Sequence, residues 1–208
     1  HLLDQLAQSD RRDLLSAIDE CSTKVSNARD NDWRTVCCSL LDLIARLNEE
    51  ERMKLRQALE EEPVRSLTLR DAILIEPYTV VRAAIAMMRT RELGCAIIVK
   101  PGQIPTGIFT ERSVLEVLAR DACLDDQPVC EFTDPDFVCV SQDDPISAVW
   151  DAVQNKGARF VCVTDEDGKV VGLTGQRGLA EYIADCFAKQ ITVQRLGETP
   201  WMSEREGA

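Results

Sequence analysis

The chain has 208 residues, 45% hydrophobic and 29% charged, ordinary values for a soluble globular protein and enough for a sizeable core. Its 36 acidic against 24 basic side chains leave a net charge of -12, which argues against partners such as duplex nucleic acid or an anionic membrane but leaves room for a local basic pocket. No apolar run approaches the ~20 residues of a membrane span, no secretory-type segment opens the sequence, and the only histidine is His1, which excludes an interior Ser-His-Asp or Cys-His catalytic group and a histidine-based metal site.

Residues 1–62 contain no glycine or proline and are rich in Leu, Ala, Arg, Glu and Asp. Leu14, Leu15, Ile18 and Cys21 share a helical face behind a cap near Ser9-Asp10. Val36, Cys37, Leu40, Leu41, Ile44 and Leu47 form the stripe of a second helix opened by Asp32. Asn48 with Glu51 is a capping box for a third helix through Met53, Leu55 and Leu59. A small all-α segment is therefore expected, packed on itself and on the remainder or on a partner chain, with its acidic runs facing solvent.

From Pro63 onward the chain repeats itself. Pro63-Val64-Arg65-Ser66-Leu67-Thr68 matches Pro128-Val129-Cys130-Glu131-Phe132-Thr133 at an offset of 65. Ala72–Ile75 with Phe137–Val140, Cys95–Val99 with Phe160–Thr164, and Gly107-Ile108 with Gly172-Leu173 keep the same offset. The helical run after Thr79 matches that after Pro145 with one residue inserted. Each copy reads as strand, helix, strand, strand, helix. The first strand is 72–76 or 137–141, a continuous run that is apolar up to its last residue. The first helix opens at Thr79, or at Asp144 with Pro145 in its first turn, and its apolar face is Val80, Ala83, Ala84 and Met87, or Ile146, Val149, Trp150 and Val153. Pro101-Gly102 and Glu166-Asp167-Gly168 turn into the third strands Thr106–Phe109 and Val170–Leu173, and helices 111–120 and 176–189 follow. The expected organisation is 1–62 helical, 63–125 and 126–189 the two α/β copies, and 190–208 an irregular tail that Trp201 pins in part.

The two copies resemble a tandem pair of CBS domains, the Bateman module, over residues 63–189. The signature positions read Gly107-Ile108-Phe109-Thr110-Glu111-Arg112-Ser113 in one copy and Gly172-Leu173-Thr174-Gly175-Gln176-Arg177-Gly178 in the other. The resemblance implies two β-α-β-β-α repeats in pseudo-two-fold arrangement whose sheets face a central cleft. It further implies a regulatory, non-catalytic module that takes AMP, ADP, ATP or S-adenosylmethionine there, with no required cofactor. The glycine admits a ligand close to the backbone, the helix start at Thr110 favours phosphate, an aspartate three residues on clamps the ribose, and Ala96-Ile97 and Val161-Cys162 sandwich the base.

Both copies depart from that pattern. Ser113 and Gly178 stand where the resemblance places the aspartate, and Gly175 stands at the hydroxyl position, with Thr174 one residue early. A lost charge-assisted hydrogen bond costs about 1.5–3 kcal/mol. The ligand-site expectation is thus Gly107, Thr110, Arg112, Ser113, Ala96, Ile97 and Arg177, with the two arginines as phosphate partners. Two functions follow: an adenosine-nucleotide sensor acting on an unidentified regulated protein, or a dimerisation and scaffold module that binds no nucleotide. A homodimer fits either. An enzyme finds no support, because no P-loop lysine pattern or placed carboxylate pair is present. The nine cysteines include no Cys-x-x-Cys pair and read as free, buried thiols of a reducing cytoplasm.

Overall fold

The computed structural model describes the chain at Ile44 and over residues 49–196, with side chains described to Cys186. The two helices expected before Asn48, and Trp201, lie outside the described residues. Helix α1 spans Glu49–Glu61. The first repeat follows with β1 (Leu74–Ile75), α2 (Val81–Arg91), β2 (Cys95–Lys100), β3 (Ile104–Thr110) and α3 (Glu111–Ala119). The second has β4 (Val138–Ser141), α4 (Ile146–Gln154), β5 (Phe160–Thr164), β6 (Val170–Gly175) and α5 (Gln176–Leu196). The last helix runs past the expected end at 189 into the segment read as irregular, because no glycine or proline lies between Gly178 in its first turn and Gly197. Leu59–Gln176 forms one compact unit, and the described residues on either side belong to another.

Each repeat builds a three-stranded sheet, ordered β1-β2-β3 and β4-β5-β6, with the first pair parallel and the second antiparallel. The duplication extends to the irregularities: the ladder slips between Ile98 and Val99 in one sheet and between Val163 and Thr164 in the other, 65 residues apart. Strand alternation then sorts the side chains. Ala96, Ile98 and Phe109 pack with Val81, Ala84 and Met88 of α2 and Val117 of α3. Cys95, Ile97 and Ile108 turn the other way and join Cys162, Val170 and Leu173 of the second repeat in a shared cluster. Fully burying one such aliphatic side chain contributes about 1.5–3 kcal/mol.

The repeats also exchange their leading segments. A tight turn, Val64–Ser66, binds the second repeat: Val64 N donates to Asp144 O (2.8 Å), Arg65 N to Gln142 O (2.9 Å), and Arg70 and Leu173 exchange both amide bonds (2.9 Å each). The corresponding turn, Val129–Phe132, binds the first repeat, with Val129 N on Thr79 O (2.9 Å), Cys130 N on Pro77 O (3.1 Å) and Asp134 N on Ile108 O (2.8 Å). Val129 and Phe132 lie in the first repeat's core.

This exchange corrects the capping expectation. Neither α2 nor α4 has a side-chain cap, and their cap residues are Val80 and Pro145. The first amides are satisfied from the leading segments instead, Val81 N by Gln127 O and Ile146 N by Glu62 O, each at 2.9 Å. Asp144 turns its carboxylate to Ser141 N (2.8 Å). No described helix is long and apolar enough to cross a membrane.

Candidate functional site

In the first repeat β3 runs straight into α3, and Thr110 is the cap between them. Its Oγ1 accepts from Ser113 N (3.4 Å), while Ser113 Oγ accepts from Thr110 N (3.2 Å), a reciprocal capping pair. Ser113 is 1% exposed, so the residue at the expected ribose-clamp position is spent inside the helix start. The Thr110 hydroxyl donates to Asp134 Oδ2 at 2.7 Å. Asp134 comes from the leading segment of the second repeat, held by its own amide bond to Ile108 O, and its Oδ1 accepts from Asp136 N (3.0 Å). Asp136 Oδ2 accepts from Arg112 (2.7 Å). Four site residues thus form one chain, Ser113–Thr110–Asp134–Asp136, closed by Arg112.

Gly107 belongs to the same place. A Cβ there would lie 2.4 Å from Thr133 Cγ2, so the missing side chain admits the neighbouring segment closely. Of the four residues expected to sandwich a base, Ile97 and Cys162 lie in the cluster shared by the repeats, Ala96 faces the helix side of the first repeat's own core, and Val161 is fully buried. Alternation separates adjacent strand residues in this way. Asp134 and Asp136 were not anticipated. Their only sequence signal is position in the leading segment, and the 65-residue offset does not reveal that this segment crosses to the other repeat.

The equivalent place in the second repeat is filled differently. A Cβ on Gly172 would meet Arg70 O at 3.0 Å and Leu69 Cβ at 3.2 Å. Leu69 stands where the first site has Asp134, so the carboxylate that meets Thr110 has no counterpart at that position. Gly175 has φ +144° and a Cβ there would lie 2.4 Å from Arg159 O, a conformation and an approach that exclude the hydroxyl residue of the other repeat. Thr174 takes the position of Phe109, and its hydroxyl is buried without a hydrogen-bond partner. Arg177 belongs to the second compact unit and pairs with Glu181 of its own helix at 2.8 Å.

Comparison with known proteins fits this picture. The CBS domain family model matches residues 64–120 and 129–185. An uncharacterized 17.7 kDa protein of Acidianus ambivalens is 25% identical over 119 residues, 57% of this chain and 71% of its own length. Among solved structures, a CBS domain protein of Pyrobaculum aerophilum complexed with AMP superposes with a TM-score of 0.53 at 19% identity, covering 66% of this chain and all of that one. The CBS domain pair of protein MJ0100, in complex with 5′-methylthioadenosine and S-adenosyl-L-methionine, gives 0.53 at 16% identity over 60% of this chain and 98% of its own.

Proposed function

The chain belongs to the CBS domain family, and from that premise we propose that it is a non-catalytic regulatory module that reads an adenosine-containing ligand at Gly107–Ser113 of the first repeat. One observation carries the reading: the Thr110 hydroxyl and the Asp134 carboxylate, 2.7 Å apart, come from different repeats. A ligand bonded to both ties the repeats together and favours one arrangement of them, which is what a switch requires. Asp134 supplies from across the repeats the carboxylate that position 113 lacks, an acceptor for ribose hydroxyls.

Charge selects the ligand within this class. Asp134 and Asp136 border the place, and Arg112 is already engaged by Asp136. Polyphosphate is disfavoured beside two carboxylates, so a neutral or cationic adenosine compound binds better than ATP. The ligands in the MJ0100 complex are of that kind. The test is a melting series with 1 mM S-adenosylmethionine, 5′-methylthioadenosine, AMP, ADP and ATP. A ligand at ten times its Kd adds about 1.4 kcal/mol to stability. The first two compounds are expected to raise the Tm by about 3–5 °C and ATP by less. An ATP shift equal to theirs overturns the charge selection, and no shift from any of them overturns the sensor.

A second reading, a self-associating contact module, is favoured by the exposed Leu115 and Leu118 on α3 and Met87 on α2. A Leu115→Glu/Leu118→Glu chain that keeps its solution mass counts against it.

A further inference from the structure

The repeats differ in one further registered pair. In the first sheet Leu74 of β1 lies beside Ile97 of β2. The residues 65 positions on, Cys139 of β4 and Cys162 of β5, are partners in the same parallel register. The duplication therefore sets two thiols where the first repeat has two aliphatic side chains. In-register neighbours on adjacent strands are about 4.8 Å apart, inside the roughly 4.4–6.8 Å that a disulfide spans between Cα atoms. The Cβ bonds of such neighbours run side by side, so closing the bridge asks for a small approach of the strands, which makes it easily reduced.

The two thiols are unlike each other. Cys139 is exposed, and Cys162 is buried in the cluster shared by the repeats, alongside Cys95. The Cys162 thiol is the main influence holding the neighbouring Cys139 thiol down to about 7. Thr164 and the Val140 backbone act in the same direction, partial burial and Asp144 in the other. Cys162 is correspondingly pushed up, by the neighbouring Cys139 and by burial. An accessible sulfur with thiolate character beside a protected S–H is the pairing of an attacking and a resolving cysteine.

We propose that Cys139 and Cys162 form a peroxide-responsive dithiol whose disulfide locks β4 to β5 on the face where the two repeats meet. The Cys139 thiolate attacks the terminal oxygen of a hydroperoxide. The O–O bond breaks, Cys139 becomes a sulfenic acid, and the alkoxide leaves and takes a proton from water. Cys162 then gives up its proton, its sulfur attacks the Cys139 sulfur, the S–O bond breaks, and hydroxide leaves to combine with that proton as water. The dithiol loses two electrons and the peroxide gains them. A cellular dithiol or glutathione restores the reduced pair, as suits a transient bridge in a reducing compartment. The inference stands on the thiol pair alone and is independent of whether an adenosine ligand binds.

The full chain is treated with equimolar hydrogen peroxide, alkylated and peptide-mapped. The expected product is an intramolecular bridge joining the Cys139 and Cys162 peptides, reversed by dithiothreitol, with maleimide labelling of Cys139 slowed at least tenfold while the bridge stands. In Cys162→Ser, Cys139 is expected to persist as a sulfenic acid captured by dimedone. Because Cys162 is buried, Cys139→Leu/Cys162→Ile, which restores the aliphatic pair of the first repeat, serves as the folded control and gives no bridge between these strands. Oxidation of other cysteines with Cys139 and Cys162 left unjoined, or bridging of Cys139 to a different cysteine or a second chain, overturns the proposal.

Discussion

Thr110 and Gly175 end the third strands of two copies of one unit, each entering a helix at the next residue, and their neighbours are opposites. Thr110 extends a hydroxyl to a carboxylate from the other repeat. Gly175 is pressed against the Arg159 carbonyl at a backbone angle that other residues rarely adopt. The sheets around them share strand order, register and the position of the ladder slip. Duplication has preserved what buries apolar surface and pairs backbone, while side chains at the mouth have diverged. A frame held by many small contributions survives substitution at its rim, so the two repeats are free to differ there.

The sharpest way to break the comparison is to add the same methyl group to both repeats. Gly175→Ala forces a side chain into a positive-φ conformation and against main chain that cannot yield, and is expected to cost about 3 kcal/mol. Gly107→Ala meets only the Thr133 methyl and is expected to cost about 1–2 kcal/mol. Thr133→Ser removes that methyl and should restore most of the loss in the double variant. Denaturant unfolding measures both, and equal costs at 107 and 175 would mean that the glycines play the same part.

How much of this was legible beforehand depends on the kind of contact. The repeat, the strand and helix order and the shared offset follow from apolar period and block matching, because those patterns report burial directly. The helix start at Thr110 was legible too, although the reciprocal cap it forms with Ser113 one turn away was not. The caps expected at Thr79 and Asp144 were not found, because Gln127 and Glu62 supply the carbonyls through a crossing that local sequence does not encode. Asp134 escaped for the same reason, and Ala96 was placed toward the ligand although alternation turns it inward.

Removing Asp134 sharpens the comparison at intermediate cost. Asp134→Ala leaves the 8%-exposed Thr110 hydroxyl without its acceptor and opens the turn to Asp136. The expected loss is about 1.5 kcal/mol, read by thermal unfolding, and Asp134→Asn should recover part of it. Leu69→Ala at the equivalent position deletes no hydrogen bond, so the ligand response should be insensitive to it.

The smallest effect separates the buried thiols. Burial pushes Cys95 up to about 12, and Cys162 is raised as well. Above the ordinary thiol value near 8.5, the unfolded chain releases protons that the folded chain keeps, so stability falls as pH rises from about 9 toward 12. The slope is at most about 1.4 kcal/mol per pH unit for each thiol. Cys139 works in the opposite sense, with its contribution lost as pH falls through about 7. Melting between pH 8 and 10.5 should show a shallower decline for Cys95→Ala than for the parent chain, and an unchanged slope would count against the buried thiol as its cause.

The most direct measurement is a calorimetric titration of the full chain with S-adenosylmethionine, repeated on Asp134→Ala and Leu69→Ala. One ligand per chain is expected, with affinity reduced at least tenfold by Asp134→Ala and held by Leu69→Ala. Two equivalent sites per chain, or binding that survives Asp134→Ala, would contradict a site built across the repeats on the Thr110 side alone.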